Sequence, residues 1–149
     1  MRALLQRVSR AEVRVGGTPV ARIGRGLLVL LGVGRTDDAA TAERLARQVA
    51  ELRIFPDEAG RTNRSLLEVG GGALVVSQFT LYADTRRGRR PGFTEAAEPS
   101  RAAALYDVFC RSLEAAGVTV ERGRFGQVME VELVNDGPFT IWLDTDARA

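Results

Sequence analysis

The sequence predicts an α/β fold: a single domain spanning residues 1–149, layered β/β/α, with mostly antiparallel strands and two helices packed on one side. Three observations predict it. The apolar residues switch along the chain between a two-residue and a helical period. The elements defined in this way run strands, helix, strand, helix, strands. A chain of 149 residues, 45% hydrophobic and 27% charged, has the balance of one buried core, and no repeat, low-complexity tract or linker divides it.

Leu4, Gln6 and Val8, then Val13 and Val15, alternate with polar neighbours and predict two half-buried strands, with a third near Val20 to Ile23. Leu27 to Val33 is an apolar run bounded by glycines, interrupted only by Gly32, and reads as a central strand buried on both faces. From Asp37 the period changes: Ala42, Leu45, Ala46, Val49 and Leu52 recur at helical spacing, with Asp37 and Asp38 suited to the positive end of the helix dipole. Ala73 to Val76 predicts another buried strand, entered through Gly70-Gly71-Gly72. The second helix is predicted from about Ser100 to Ala116, with Pro99 before it and Gly117 as its stop. Three strands close the chain, at Val118 to Glu121, Val128 to Val134 and Phe139 to Leu143. Cys110, the one cysteine, falls on the apolar face of the second helix and reads as a packing residue.

Two absences narrow the chemistry. The chain has no histidine, and all 21 of its basic residues are arginines. Without histidine or lysine there is no Ser-His-Asp triad, no histidine-bearing zinc site, no Schiff base and no phosphate-loop lysine. Arginine stays protonated at neutral pH, so proton transfer falls to carboxylates, backbone groups, water or the substrate. No metal and no cofactor is expected.

The net charge of +2 is unevenly spread. Residues 1–25 hold six arginines against Glu12, and residues 84–90 hold Arg86, Arg87, Arg89 and Arg90 against Asp84. Such clusters suit phosphate contact, or else an ordinary solvated face, and charge alone leaves both readings open. Arg2 and Arg7 interrupt the amino-terminal apolar residues too early for a signal-peptide core or a membrane span, so a cytoplasmic location is expected, with no membrane partner.

Ser77-Gln78-Phe79-Thr80-Leu81 places two hydroxyls and an amide at the end of a buried strand, where sheet proteins often present ligand-binding groups. These groups either bond the local backbone or floor a pocket. As a nucleophile, Ser77 or Thr80 would need a base that the motif lacks. The second segment is Asn135-Asp136-Gly137-Pro138-Phe139-Thr140, which reads as a turn between strands. Sequence leaves the Gly137-Pro138 bond open between cis and trans.

Together the two segments resemble the signatures of the D-aminoacyl-tRNA deacylase family, Ser-Gln-Phe-Thr-Leu and Asn-X-Gly-Pro-X-Thr. The similarity runs from Arg2-Ala-Leu-Leu-Gln-Arg-Val8 through Gly26 to Val33 and Arg53-Ile54-Phe55 to Trp142. It implies a homodimeric hydrolase acting on the 3′ end of D-aminoacyl-tRNA, and on glycine mischarged on tRNA-Ala. Ser77, Gln78, Phe79 and Thr80 would form the catalytic pocket, with Met129 and Pro138 on its walls. Gly137-Pro138 of one subunit, in the cis form, would enter the other subunit's pocket and exclude L side chains. Arg7 would steady the Gly-Pro carbonyls, and Phe125 would pack near the terminal adenosine. The 2′-hydroxyl of the terminal ribose would help activate water, which agrees with the missing general bases.

One departure stands out. Many relatives read Arg-Pro-Ser-Phe where this chain has Arg90-Pro91-Gly92-Phe93, which removes a hydroxyl and keeps the turn permissive. Two other functions remain open: a non-catalytic RNA-binding dimer using the arginines with Phe79, Phe93 and Phe125, and a related editing enzyme with a trans Gly-Pro bond acting on small L-amino acids. DNA is not an expected partner.

Overall fold

The computed structural model describes residues 1–146. Its backbone is organised by one long strand, β1 (Arg2–Val15), where the sequence predicted two short ones. β1 does not break because it pairs with two strands of one sheet in succession. Residues Arg2 to Val8 pair antiparallel with β3 (Gly26–Gly32), and Ala11 to Val15 pair antiparallel with β2 (Thr18–Ile23). Its polar midsection, Ser9 and Arg10, is exposed and marks the crossing.

Beyond β3 the ladder turns parallel. β3 pairs with β6 (Gly72–Ser77), and β6 with β7 (Thr119–Arg122), so the sheet is mixed. The close approach of β3 and β6 requires glycine: a Cβ on Gly26 would run into the carbonyl of Gly72. Alternation along these central strands divides the core in two. Leu27, Val29, Leu31, Ala73 and Val75 face the helices; Leu28, Leu74 and Val76 face the other way, onto Val8, Ala11, Val13 and the partly buried Met129, Val131 and Leu133.

The helical layer consists of α1 (Ala39–Glu51) and α3 (Pro99–Ala116). Asp38 caps α1 by accepting the Thr41 N–H at 2.9 Å, and Gly117 ends α3 with φ 105°, in the left-handed region open to glycine. Leu45 and Val49 of α1 and Leu105, Phe109 and Leu113 of α3 are fully or almost fully buried against the sheet. Each such side chain contributes roughly 1.5–3 kcal/mol relative to exposure. Neither helix is long and apolar enough to cross a membrane, nor is any other helix among the described residues.

Two small elements escaped the sequence pattern because they are shorter than its periods. They are the ladder of β4 (Phe55–Pro56) with β5 (Thr62–Arg64), and α2 (Leu66–Val69). A capping box did announce α2: Ser65 accepts the Glu68 N–H, and Glu68 accepts the Ser65 N–H, both at 3.1 Å.

Cys110 is fully buried on α3, and burial pushes its thiol up to about 11. Native protein at pH 7.5 is therefore expected to resist alkylation by a small maleimide over the hour in which the urea-unfolded chain is fully modified. Rapid labelling of the folded form would contradict this placement.

The last strand, β8 (Glu130–Asp144), also replaces two predicted strands. It pairs antiparallel with the free edge of β1 along nearly its whole length, except where residues 136–139 stand opposite the single residue Arg7. The predicted turn is thus a bulge within a continuous strand. The ladder resumes on either side of it, with Gln6 opposite Thr140 and Val8 opposite Asn135, and the register shifts there and again between Val8 and Arg10.

Candidate functional site

β6 ends at Ser77, and the chain then folds sharply into a 3₁₀ turn, Phe79–Tyr82. Three contacts fix that turn. The Gln78 N–H donates to the Leu31 carbonyl at 2.8 Å, extending the β3 ladder by one bond. Arg2 donates from Nη1 to the Leu81 carbonyl at 2.8 Å and lies over the Tyr82 ring at 4.3 Å. Gly32 lies beneath, where a Cβ would come within 3.1 Å of the Gln78 carbonyl oxygen. The amides of Phe79 and Thr80, at the start of the turn, have no backbone acceptor among the described residues.

This turn forms one wall of a cavity of about 630 Å³. Val76, Ser77, Gln78 and Phe79 supply that wall; Glu98, Pro99 and Ala102, from the start of α3, supply a second; Phe125 to Met129 supply a third. The lining is largely apolar with a few polar groups, the usual make-up of a small-molecule site. Phe79 remains 55% exposed, with its ring 5.0 Å from that of Phe93 in an edge-to-face contact. Val128, another wall residue, is 92% exposed.

Of the residues singled out from sequence, Ser77, Gln78, Phe79, Phe125 and Met129 come together on this cavity. Thr80 is not among its walls; it is exposed and reaches the site through Gln78, whose Nε2 donates to Thr80 Oγ1 at 2.5 Å. Gly137, Pro138 and Arg7 also lie outside the cavity walls of their own chain.

Those three residues form a second feature. The Gly137-Pro138 bond is cis, and both residues are exposed at the tip of the bulge. Asn135 braces the bulge from within, donating from Nδ2 to the carbonyls of Arg7 at 2.9 Å and Phe139 at 3.0 Å, while its Oδ1 accepts the Phe139 N–H at 3.0 Å. Arg7 donates from Nε to the Asp136 carbonyl at 3.0 Å and from Nη1 to the Ile54 carbonyl at 2.7 Å, and it stacks over Phe139 at 4.3 Å. Arg7 thus grips the carbonyl just before the Gly-Pro pair.

The family model for D-Tyr-tRNA(Tyr) deacylase matches residues 4–144, which include both the cavity and the bulge. The chain belongs to that family. Among D-aminoacyl-tRNA deacylases, the one from Thermomicrobium roseum is 66% identical over 97% of this chain and 94% of its own length. The one from Paracoccus denitrificans is 59% identical over the full length of both. A solved structure described as a c-Myc DNA unwinding element binding protein superposes with TM-score 0.94, at 38% identity, covering 99% of this chain and all of its own. A probable eukaryotic D-amino acid tRNA deacylase, 21% identical, shares the fold with TM-score 0.84 over 95% of this chain and 97% of its own.

The D-Tyr-tRNA(Tyr) deacylase signatures account for one wall of the cavity and for the bulge, but not for the other walls. Glu98 is the carboxylate that sequence reasoning missed. Its position was readable, since Pro99 occupies the first helical position of α3 and makes Glu98 the residue before the helix. The Phe125–Met129 wall had a weaker signal, the glycines at 123 and 126 that mark a loop.

Proposed function

We propose that this chain hydrolyses the ester joining a D-amino acid to the 3′ end of tRNA, with the aminoacyl group and terminal adenosine in the cavity at the end of β6. The observation that carries this reading is the 630 Å³ cavity, walled by the Ser77–Phe79 turn, in a chain of the deacylase family. Water adds to the ester carbonyl, the carbon–oxygen bond to the ribose breaks, and the ribose oxygen leaves with a proton. The Phe79 amide, on the cavity wall and without a backbone acceptor among the described residues, serves the developing oxyanion, a task for a preorganised donor that needs no histidine. The 2′-hydroxyl of the same ribose activates the water.

Chirality is read by exclusion. Gly137-Pro138 of a second copy enters the cavity and fills the space that an L side chain needs, leaving room for a D side chain or for glycine, including glycine mischarged on tRNA-Ala. The enzyme is then a two-fold homodimer with two composite sites, acting in the cytoplasm. The exposed, braced bulge, absent from the cavity walls of its own chain, supports this arrangement.

Glu98 favours a second reading, in which a cavity carboxylate is the general base. Removing a general base costs about 10²–10⁴-fold in kcat. With RNA-assisted chemistry, Glu98→Gln, Ser77→Ala and Thr80→Ala each retain kcat within about tenfold, far short of that loss. A kcat collapse in folded Glu98→Gln, together with loss of the acidic limb of its pH profile, would transfer the base to Glu98. The activity itself is tested by incubating purified protein and a metal chelator with D-tyrosyl-tRNA, L-tyrosyl-tRNA and glycyl-tRNA-Ala. Release from the D and glycyl esters with the L ester left intact is expected; equal release of D and L, or none, would refute the reading.

A further inference from the structure

The two arginine clusters that look alike in sequence are different in the structure. In the amino-terminal cluster, Arg2 pairs with Asp144, Arg7 with Asp136, Arg10 with Glu132, Arg14 with Glu12 and Glu132, and Arg22 with Glu12. Arg25, the sixth, lies over the Phe55 ring at 5.5 Å. Five of its six arginines are thus held by carboxylates of their own chain.

The loop cluster is not held in this way. Asp84 takes Arg86 alone, through contacts of 2.9 Å and 2.8 Å, and Arg86 holds the Asp84 carboxyl down at about 2. Arg87, Arg89 and Arg90 are exposed, with no carboxylate within ion-pair distance among the described residues. Backbone bonds in both directions between Asp84 and Gly92, at 2.7 Å and 2.9 Å, close the loop and keep these three arginines on one short projection.

The projection returns to the body of the protein at Phe93, where a second cavity of about 460 Å³ opens. This cavity shares Phe93, Ala96, Ala97 and Glu98 with the substrate cavity, so the two adjoin across one wall. Its own cations are Arg35, exposed and without a carboxylate partner among the described residues, and Arg101, which donates to the Asp37 carbonyl. Glu98 in the wall and exposed Glu95 beside Arg35 supply negative charge, which leaves the strip from Arg35 to Arg90 net positive.

We propose that the acceptor end of tRNA leaves the substrate cavity across Phe93 and lays its backbone phosphates on Arg35 and then on Arg87, Arg89 and Arg90. This rests on the substrate reading above and names the surface that makes the substrate a tRNA rather than an isolated aminoacyl nucleoside. Unpaired guanidiniums are the free phosphate forks of this surface, and those already held by carboxylates are not. An aromatic ring at the exit is the stacking platform expected where a single strand leaves a pocket.

The test compares wild type with the variant R35S/R87S/R89S/R90S and a control, R10S/R22S, whose arginines are exposed but paired. Binding of uncharged tRNA is measured across a salt series, and hydrolysis of a D-aminoacyl ester of adenosine without any phosphate is measured beside it. Every arginine–phosphate pair that is removed lowers the slope of log affinity against log salt by about 0.7–0.9, so the fourfold variant should lose roughly 3–4 units of slope and the control none. Hydrolysis of the adenosine ester should be unchanged in both. An unaltered tRNA slope, an equal loss in the control, an equal loss on the adenosine ester, or tighter binding to duplex DNA than to tRNA would overturn the docking surface. If wild type hydrolyses no ester while the tRNA slope still falls only in the fourfold variant, the surface stands and the substrate reading fails.

Discussion

Asp37→Asn is expected to lower the stability of the protein by about 3–5 kcal/mol, the usual cost of removing one partner of a buried ion pair. Asp37 is 3% exposed, and its Oδ1 meets the fully buried ammonium of Met1 at 2.8 Å. Its Oδ2 accepts the Gly34 N–H at 2.6 Å, and its carbonyl accepts from Arg101 at 2.5 Å. One residue thereby ties the start of β1, the corner after β3 and the start of α3. Asparagine retains an acceptor and leaves the ammonium without a counter-charge. Urea unfolding measures the difference, and a loss below about 1 kcal/mol would place the pair with ordinary surface ion pairs. The same corner carries the cavity: the Ala97 N–H donates to the Val33 carbonyl at 2.9 Å, and both residues line it. The variant should therefore weaken substrate binding even at temperatures where it stays folded.

Gly137→Ala carries the largest expected effect on specificity. A methyl group there would collide with the Phe139 amide and lie 2.9 Å from the Phe139 Cα, so the bulge must rebuild. Its tip is exposed, and the fold should survive. The ratio of kcat/KM for D-tyrosyl-tRNA over L-tyrosyl-tRNA is expected to fall about 100-fold, a loss of about 2.7 kcal/mol of discrimination. A folded variant with unchanged discrimination would remove the bulge from chiral selection.

Most of the layering was legible because it depends on periodicity. The alternation at Leu27–Leu31 and Ala73–Val76 separates two core faces, and the helical repeat from Ala42 to Val49 buries one of them. Strand continuity was not legible. β1 and β8 each read as two strands, because Ser9-Arg10 and Gly137-Pro138 interrupt the pattern locally while the ladder between the two strands carries them through. The parallel pairings of β6 were hidden for a similar reason: an apolar run states its burial and not its neighbours. At the site, the Ser77–Phe79 wall could be read from a contiguous motif. Glu98 and Val128 could be placed locally, before a helix and in a loop, but not on the cavity, because they reach it from elements distant in the chain. Charge was half legible, since the sequence showed two arginine clusters but not that Glu12, Glu132, Asp136 and Asp144 hold five of the six arginines in one of them.

Subunit mixing tests the composite site most directly. Phe79→Ala impairs the cavity through a half-exposed ring, and Gly137→Ala impairs the bulge. When the two proteins are co-refolded in equal amounts, half the dimers are mixed, and each mixed dimer holds one intact cavity facing one intact bulge. Roughly a quarter of the wild-type sites, with full preference for D-tyrosyl-tRNA, should then return from two defective parents. A mixture no better than the sum of its parents, or a wild-type protein that sediments as a monomer while remaining D-selective, would contradict a site shared between two chains.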